Sequence, residues 1–300
     1  MDLNGILQFL IYALSLGGLY ALMALGLALI YGILDLVNFA YGEIVMVAGY
    51  TMYVLGYVLF PELAWSVVAI AAVVIAVASS LLLERVAFRP VRDADPNTML
   101  ITSFAVSTFL QNSAILFIAP RPRPVRFPVF FSQVVRVGDL VVSKGDLLSL
   151  LTSLAMLGIL TIFMRRTILG SALRAAASDF TMTRLLGIRA NLIIAIAFAI
   201  SGCLAGVVSL FWIGRIGTVM PNVGLTPVLI AFVASVVGGL GSLEGAVIGG
   251  YLIGFSTIAL NIVLPSKVLH FRQAVLFGIV ILILLFRPEG LTHGTTEEKL

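Results

Sequence analysis

The sequence predicts an all-α polytopic membrane protein with eight to nine transmembrane or re-entrant helices. Three observations predict it. Hydrophobic residues make up 61% of the 300-residue chain and charged residues 11%, against about 25% charged in soluble domains. Apolar runs recur along the chain at about the 20 residues that cross a bilayer core of about 30 Å. The arginines collect between particular runs, as cytoplasmic loops require.

Apolar runs bounded by charge, proline or glycine fall at 6–31, 39–59, 63–83, 98–118, 147–163, 192–213, 226–240, 245–264 and 273–286. The first follows Met1-Asp-Leu-Asn, which has no basic n-region, so it is expected to stay as a span and not to be removed as a signal peptide. The run 39–59 is glycine-rich and 226–240 is short, and either reads as re-entrant or broken. Together they form one transmembrane domain over 1–290, with a tail at 291–300.

Sidedness follows from charge. The net charge of +4 reads as the cytoplasmic excess of a membrane protein and not as a nucleic-acid footprint. Arg85, Arg89 and Arg92 follow the third run; Arg165, Arg166, Arg174, Arg184 and Arg189 follow the fifth. Two spans separate these clusters, so both face the cytoplasm, and the tail joins them if the later runs all cross. The region 120–146 then lies outside despite Arg121, Arg123, Arg126, Arg136 and Lys144. It is long and broken by Pro120, Pro122, Pro124 and Pro128, and long loops weigh less in the charge rule. Its 134–142 stretch reads as strand.

One polar, helix-forming stretch interrupts the apolar pattern at 168–187. Leu169, Leu173, Ala176 and Phe180 recur at steps of three and four, while Arg174, Ser178, Asp179 and Arg184 lie largely off that stripe. Ser171 can cap the start, and Gly187 can end the helix in the left-handed conformation. Two readings fit: a coupling helix docked in a groove of a cytoplasmic ATPase, or an interfacial helix beneath the headgroups.

Gly42, Gly49 and Gly56 recur every seven residues, and Gly202/Gly206, Gly245/Gly249 and Gly250/Gly254 have small-xxx-small spacing. Such spacing first means close helix packing; a subset can line a solute path. Asn38-Phe-Ala-Tyr-Gly-Glu43 and Gly239-Leu-Gly-Ser-Leu-Glu244 each lead into a small-residue helix, an echo of the duplicated, glycine-interrupted halves of transporters. Asp35, Asn38, Glu43 and Glu244 sit near segment ends, and Arg215 reads as an interface anchor. Gln111, Asn112 and Asn261 lie deeper, where an unpartnered amide is costly. Path candidates are Asn38, Gly42, Glu43, Gln111, Asn112, Gly239, Gly241 and Glu244.

Absences exclude much. There is no G-x-x-x-x-G-K-S/T loop to hold ATP, no H-E-x-x-H and no G-x-S-x-G with nearby His and Asp. His270 and His293 make no site, and Cys203 is the single cysteine, so no internal disulfide or Cys-rich metal centre forms. No filter-like T-V-G-Y-G and no mid-membrane acid chain supports a channel or a proton-driven carrier. No catalytic residue, cofactor or metal is expected.

The residues 18–43, GLYALMALGLALIYGILDLVNFAYGE, resemble the N-terminal signature of branched-chain amino-acid ABC transporter permeases of the LivH type. The 171–187 stretch with its Leu-Leu-Gly-Ile ending looks like that family's cytoplasmic loop, and Pro221-x-x-Gly224 with VVGGLGSLEGAVIGG at 236–250 is similar to its C-terminal signature. The resemblance implies a permease for leucine, isoleucine or valine in a bacterial or archaeal cytoplasmic membrane. It implies a second, LivM-type permease, two ATPase subunits and a periplasmic or lipid-anchored binding protein as partners. Coupling would fall to 171–187, through Ser171, Arg174, Asp179, Arg184 and Gly187. Urea and short-chain amide permeases share these motifs, so they remain alternatives, with an ion-coupled carrier or a structural scaffold behind them. The basic loop 120–126 matches no part of the pattern, and this leaves the binding-protein docking surface open.

Overall fold

Leucine, alanine and glycine without proline carry the first helix, α1 (Leu3–Leu34), through 32 residues. It ends at Asp35, which takes the left-handed conformation (φ 49°), a conformation aspartate tolerates better than most residues. The computed structural model describes residues 3–92, 94–137, 140–185, 187–288 and 290–291. The expected tail therefore lies, from 292 on, outside the described residues.

After α1 come α2 (Tyr41–Tyr53), drawn out to Leu59 by a π-helical stretch, and α3 (Trp65–Leu83), followed by π and 3-10 turns to Val91. Asp95 caps α4 (Pro96–Phe117), its carboxylate accepting from the Asn97 N–H at 2.8 Å. Then follow β1 (Arg123–Pro124), α5 (Val129–Ser132), the hairpin β2 (Val134–Val137) and β3 (Leu140–Ser143), and α6 (Lys144–Arg166). The helices α7 (Ile168–Ser178) and α8 (Phe180–Leu185) lead to α9 (Ala190–Ile216), which Gly217 closes at φ 75°. Last come β4 (Thr218–Val219), α10 (Leu225–Gly238), α11 (Leu243–Val263) and α12 (Arg272–Phe286).

Among the described residues, eight helices are long and apolar enough to cross a membrane, so the protein is an all-α, multi-pass membrane protein. The remaining apolar run of the sequence, 226–240, is α10. Its 14 residues span about 21 Å, short of a bilayer core. The strand expected at 134–142 is the β2–β3 hairpin, with Val135 opposite Val142.

The chain divides into two units. One comprises 29–128 and 159–229. Its centre is α9, packed against α2 and α3. A Cβ on Gly202 would stand 2.6 Å from the Ser80 Cβ, and one on Gly206 3.0 Å from the Val73 Cα. That pair is therefore helix packing, as small-residue spacing first suggests. Hydroxyls add polar contacts across the helices. Ser80 donates to the Phe198 carbonyl (2.6 Å), Ser209 to the Val45 carbonyl (2.8 Å) and Tyr41 to the Ser201 carbonyl (3.2 Å). At one end Arg92 donates to Asn191 (2.8 Å), so the arginines after α3 and the start of α9 share that end. At the other, the proline-rich stretch folds back on the unit. Arg123 lies 6.0 Å from the Tyr53 ring centroid, Arg126 donates to the Pro61 carbonyl (3.2 Å), and β1 pairs antiparallel with β4. Two of the basic residues that complicate the charge rule are thus engaged in packing.

The other unit comprises 1–28, 129–158 and 230–300. Here α1 crosses α11 closely, Gly17 facing Gly254 and Ala21 facing Gly250 with no room for a side chain between them. Ser235 donates to the Ala24 carbonyl (3.1 Å), and the Ser15 and Ser149 hydroxyls bond to each other. Gln8 (3.0 Å) and Tyr12 (3.2 Å) donate to the Val141 carbonyl, tying α1 to the hairpin.

Replacing Gly202 by Leu is expected to destabilise the α3–α9 contact by about 1–3 kcal/mol, the usual consequence of overpacking. A fall in the unfolding midpoint of the purified protein in detergent is the check; an unchanged midpoint would contradict the packing described.

Candidate functional site

The site begins with a broken span. Residues 36–40 turn between α1 and α2; the Asn38 carbonyl accepts from the Tyr41 N–H (3.2 Å) and the Ala40 carbonyl from the Glu43 N–H (3.1 Å). No side chain caps α2. Its first turn meets the start of α10, backbone against backbone. A Cβ on Gly224 would overlap the Gly42 carbonyl and stand 3.2 Å from the Glu43 nitrogen, and a Cβ on Gly42 would overlap the Gly224 carbonyl. The Tyr41–Ser201 bond sets the depth, because Ser201 lies near the middle of α9. Two helix N-termini therefore abut inside the unit, far from the ends of its spans. Each carries the positive end of a helix dipole, which favours an anion.

Glu43 stands in the first turn of α2 and is 1% exposed. Its Oε1 accepts from Ser107 Oγ (2.9 Å) and Gln111 Nε2 (2.7 Å), both on α4. Its Oε2 has no hydrogen-bond partner, and no lysine, arginine or histidine is among the carboxylate's partners. Asn38, fully buried, has neither Nδ2 nor Oδ1 bonded. Seven residues beyond Glu43, on the same face of α2, the buried Tyr50 hydroxyl is also unpartnered. Beside them the Phe39 and Phe104 rings stack, centroids 4.5 Å apart.

The structure thus gathers Asn38, Gly42, Glu43 and Gln111 from the path candidates. It does not gather Asn112, which is exposed on α4 and donates back to the Thr108 carbonyl (2.8 Å). Gly239 (φ 112°) and Gly241 (φ 84°) form the left-handed turn between α10 and α11, in the other unit. Ser242 Oγ caps α11 through the Gly245 N–H (3.0 Å), and Glu244 is exposed in its first turn. The two echoed segments differ in their acids: Glu43 is buried and Glu244 is exposed.

The polar stretch at 168–187 is two helices, not one. Thr167, one turn ahead of the expected Ser171, caps α7 by accepting from the Gly170 N–H (2.9 Å). Ser171 accepts instead from Arg174 (3.3 Å). The helix breaks at Asp179, which is extended and whose carboxylate accepts from the Met182 N–H (2.8 Å), capping α8. A short acceptor side chain competes well for backbone donors at a helix start, which explains the break. Gly187 takes φ 83°, the left-handed ending expected of it. Leu173 and Ala176 are buried and Arg174 and Arg184 exposed, as the stripe predicts, but Leu169 is largely exposed.

Among the described residues, no three His, Cys, Asp or Glu side chains come together as metal ligands.

The model of the branched-chain amino acid transport system permease component matches residues 9–286. The chain belongs to this family. It is 35% identical to the high-affinity branched-chain amino acid transport system permease protein BraD of Pseudomonas aeruginosa, over 98% of this chain and 97% of that relative. It is 34% identical to LivH of Escherichia coli over the same shares of each chain. A probable branched-chain amino acid transport permease LivH of Methanocaldococcus jannaschii is 29% identical over 96% and 92%.

In this branched-chain amino-acid permease family member, sequence reasoning missed Ser107, Tyr50 and the role of Gly224. Ser107 and Gln111 are four residues apart in an apolar helix, a spacing that puts both on one face and was a usable signal. Gly224 was visible only as part of a motif, because a contact with residue 42 across the chain has no local signature. Gln111→Leu is expected to leave the buried Glu43 with a single donor and to lower stability by about 1–3 kcal/mol. A thermal unfolding midpoint equal to the unsubstituted protein's would contradict this.

Proposed function

We propose that this chain is the membrane-spanning subunit of an ATP-driven importer for branched-chain amino acids: leucine, isoleucine and valine. The observation that carries the reading is end-to-end similarity, 35% and 34% identity over 98% of the chain, to permeases whose names specify that transport. It performs no covalent chemistry; ATP hydrolysis belongs to separate subunits. The partners are a second, LivM-type permease, two ATPase subunits and a periplasmic or lipid-anchored binding protein that delivers the solute.

Coupling to the ATPases falls to α7 and α8, on the cytoplasmic side. Their exposed residues support this. Leu173 and Ala176 are already buried against the protein, so the apolar stripe is not free to sink into headgroups. What remains outside is mixed: Ile168 (89% exposed), Met182 (54%) and Leu185 (77%) with Arg174, Asp179 and Arg184. A surface of apolar anchors rimmed by charge suits a protein groove. Solute passes by Asn38, Gly42, Glu43 and Gln111. Closure of the ATPase pair, relayed by α7 and α8, switches the permease between outward and inward access.

Uptake of labelled leucine by cells lacking this gene, with urea and a short amide in parallel, tests the substrate. Leucine uptake is expected to be lost and to return with the gene. Intact leucine uptake with lost urea or amide uptake would overturn the substrate and leave the fold untouched. Coupling has its own check. Ile168→Asp with Leu185→Asp is expected to lower co-purification of the ATPase subunits at least about tenfold, as loss of interface anchors does. The unfolding midpoint should not move, because both side chains are exposed. Full retention of the ATPases would remove α7 and α8 from the interface.

A further inference from the structure

Two polar groups at the α2–α10 junction are left unused by the fold. The Asn38 amide is fully buried with both halves unbonded, and Glu43 Oε2 is buried without a partner. An orphaned buried amide destabilises a protein, and a carboxylate removed from water without a matching cation or proton destabilises it more. Ser107 and Gln111 account for Oε1 alone. A leucine at 38 would fill the same space with no orphaned atom. Groups retained against stability at one place are the mark of a working site.

The chemistry around them has two signs. Glu43 offers a buried carboxyl group with no cation to meet it. The abutting N-termini of α2 and α10 offer two positive dipole ends, and Asn38 adds an amide donor and acceptor at the entry to α2. A ligand that satisfies all of this carries an ammonium and a carboxylate on one carbon. A neutral urea or amide could bond to Asn38 but would bring no cation to Glu43.

We propose that Asn38 and Glu43, with the joined N-termini of α2 and α10, form a zwitterion-binding station within the permease itself. Glu43 takes the α-ammonium of an amino acid. The Asn38 amide and the positive ends of the two helices take its α-carboxylate. Gly42 and Gly224 are in backbone contact in this structure, so the station is closed here and opens as the two helix starts separate. The proposal rests on the transport reading above and assigns the part of the solute that the permease, as distinct from the binding protein, recognises.

The test uses the complete transporter (permease pair, ATPases and binding protein) in proteoliposomes, with labelled leucine as probe. Asn38→Leu and Glu43→Gln are each expected to lower ATP-driven uptake at least about thirtyfold, the scale for truncating a buried charged hydrogen-bond partner. The Asn38→Leu transporter should melt no lower than the unsubstituted one, and Glu43→Asp should recover part of the uptake that Glu43→Gln loses. Unchanged uptake in Asn38→Leu or Glu43→Gln overturns the station. So does a parallel loss of uptake and melting temperature in Asn38→Leu, which would make the amide structural. If the unsubstituted transporter accumulates no leucine, the transport reading itself fails, and that is seen before any variant is compared.

Discussion

The contact between Gly42 and Gly224 is the constraint on which the centre of this molecule depends. Each glycine stands at the start of a helix, and each presents a carbonyl where the other's side chain would be. Because the backbones touch, α2 and α10 begin deep in the unit and not at its edge. The stretches that lead to them, 36–40 and 217–224, are therefore largely non-helical where the spans would otherwise run through. Irregular backbone at membrane depth is tolerated only when it is buried in protein or lines a watery cavity. The structure meets that condition for the second stretch with the proline-rich segment. β1 pairs with β4, and the Val125 N–H donates to the Gly217 carbonyl at 3.0 Å. A loop that looks like an anomaly in the sequence thus supplies hydrogen bonds to the chain as it leaves α9.

The same reasoning separates the glycines. In α9, Gly202 and Gly206 make room for α3 and nothing else. In lipid no hydrophobic force draws helices together, so close approach and serine hydroxyls carry the association. Ser80, Ser209 and Tyr41, each donating to a carbonyl on a neighbouring helix, fit that account. Asn38 and Glu43 do not fit it, because they are as buried as these hydroxyls yet leave atoms unbonded. Packing explains the first set completely and leaves the second over.

The helices α7 and α8 follow a different logic. The burial of Leu173 and Ala176 and the tight seat of Gly170, whose Cβ would lie 2.6 Å from the Met164 Cα, fix α7 to the unit. Asp179 then turns the chain by capping α8 instead of continuing α7. The pair is therefore bent and leaves Ile168 and Leu185 exposed along its edge.

The sequence by itself determined the membrane class, nearly every span within a few residues, the short tenth helix and the presence of a polar stretch between spans. These are properties of local composition and period, and hydropathy over about 20 residues is set by the bilayer regardless of neighbours. It also pointed to Asn38, Gly42, Glu43 and Gln111 through polarity in apolar runs. It did not separate these from Asn112, which is one residue from Gln111 and about 100° around the helix, so it faces elsewhere. Nor did it distinguish Glu43 from Glu244, whose sequence settings match. Which polar residue is buried, which glycine meets another glycine and which loop bonds to the chain as it leaves α9 were decided only by tertiary structure. Those outcomes depend on contacts between residues more than sixty positions apart, and no local pattern encodes them.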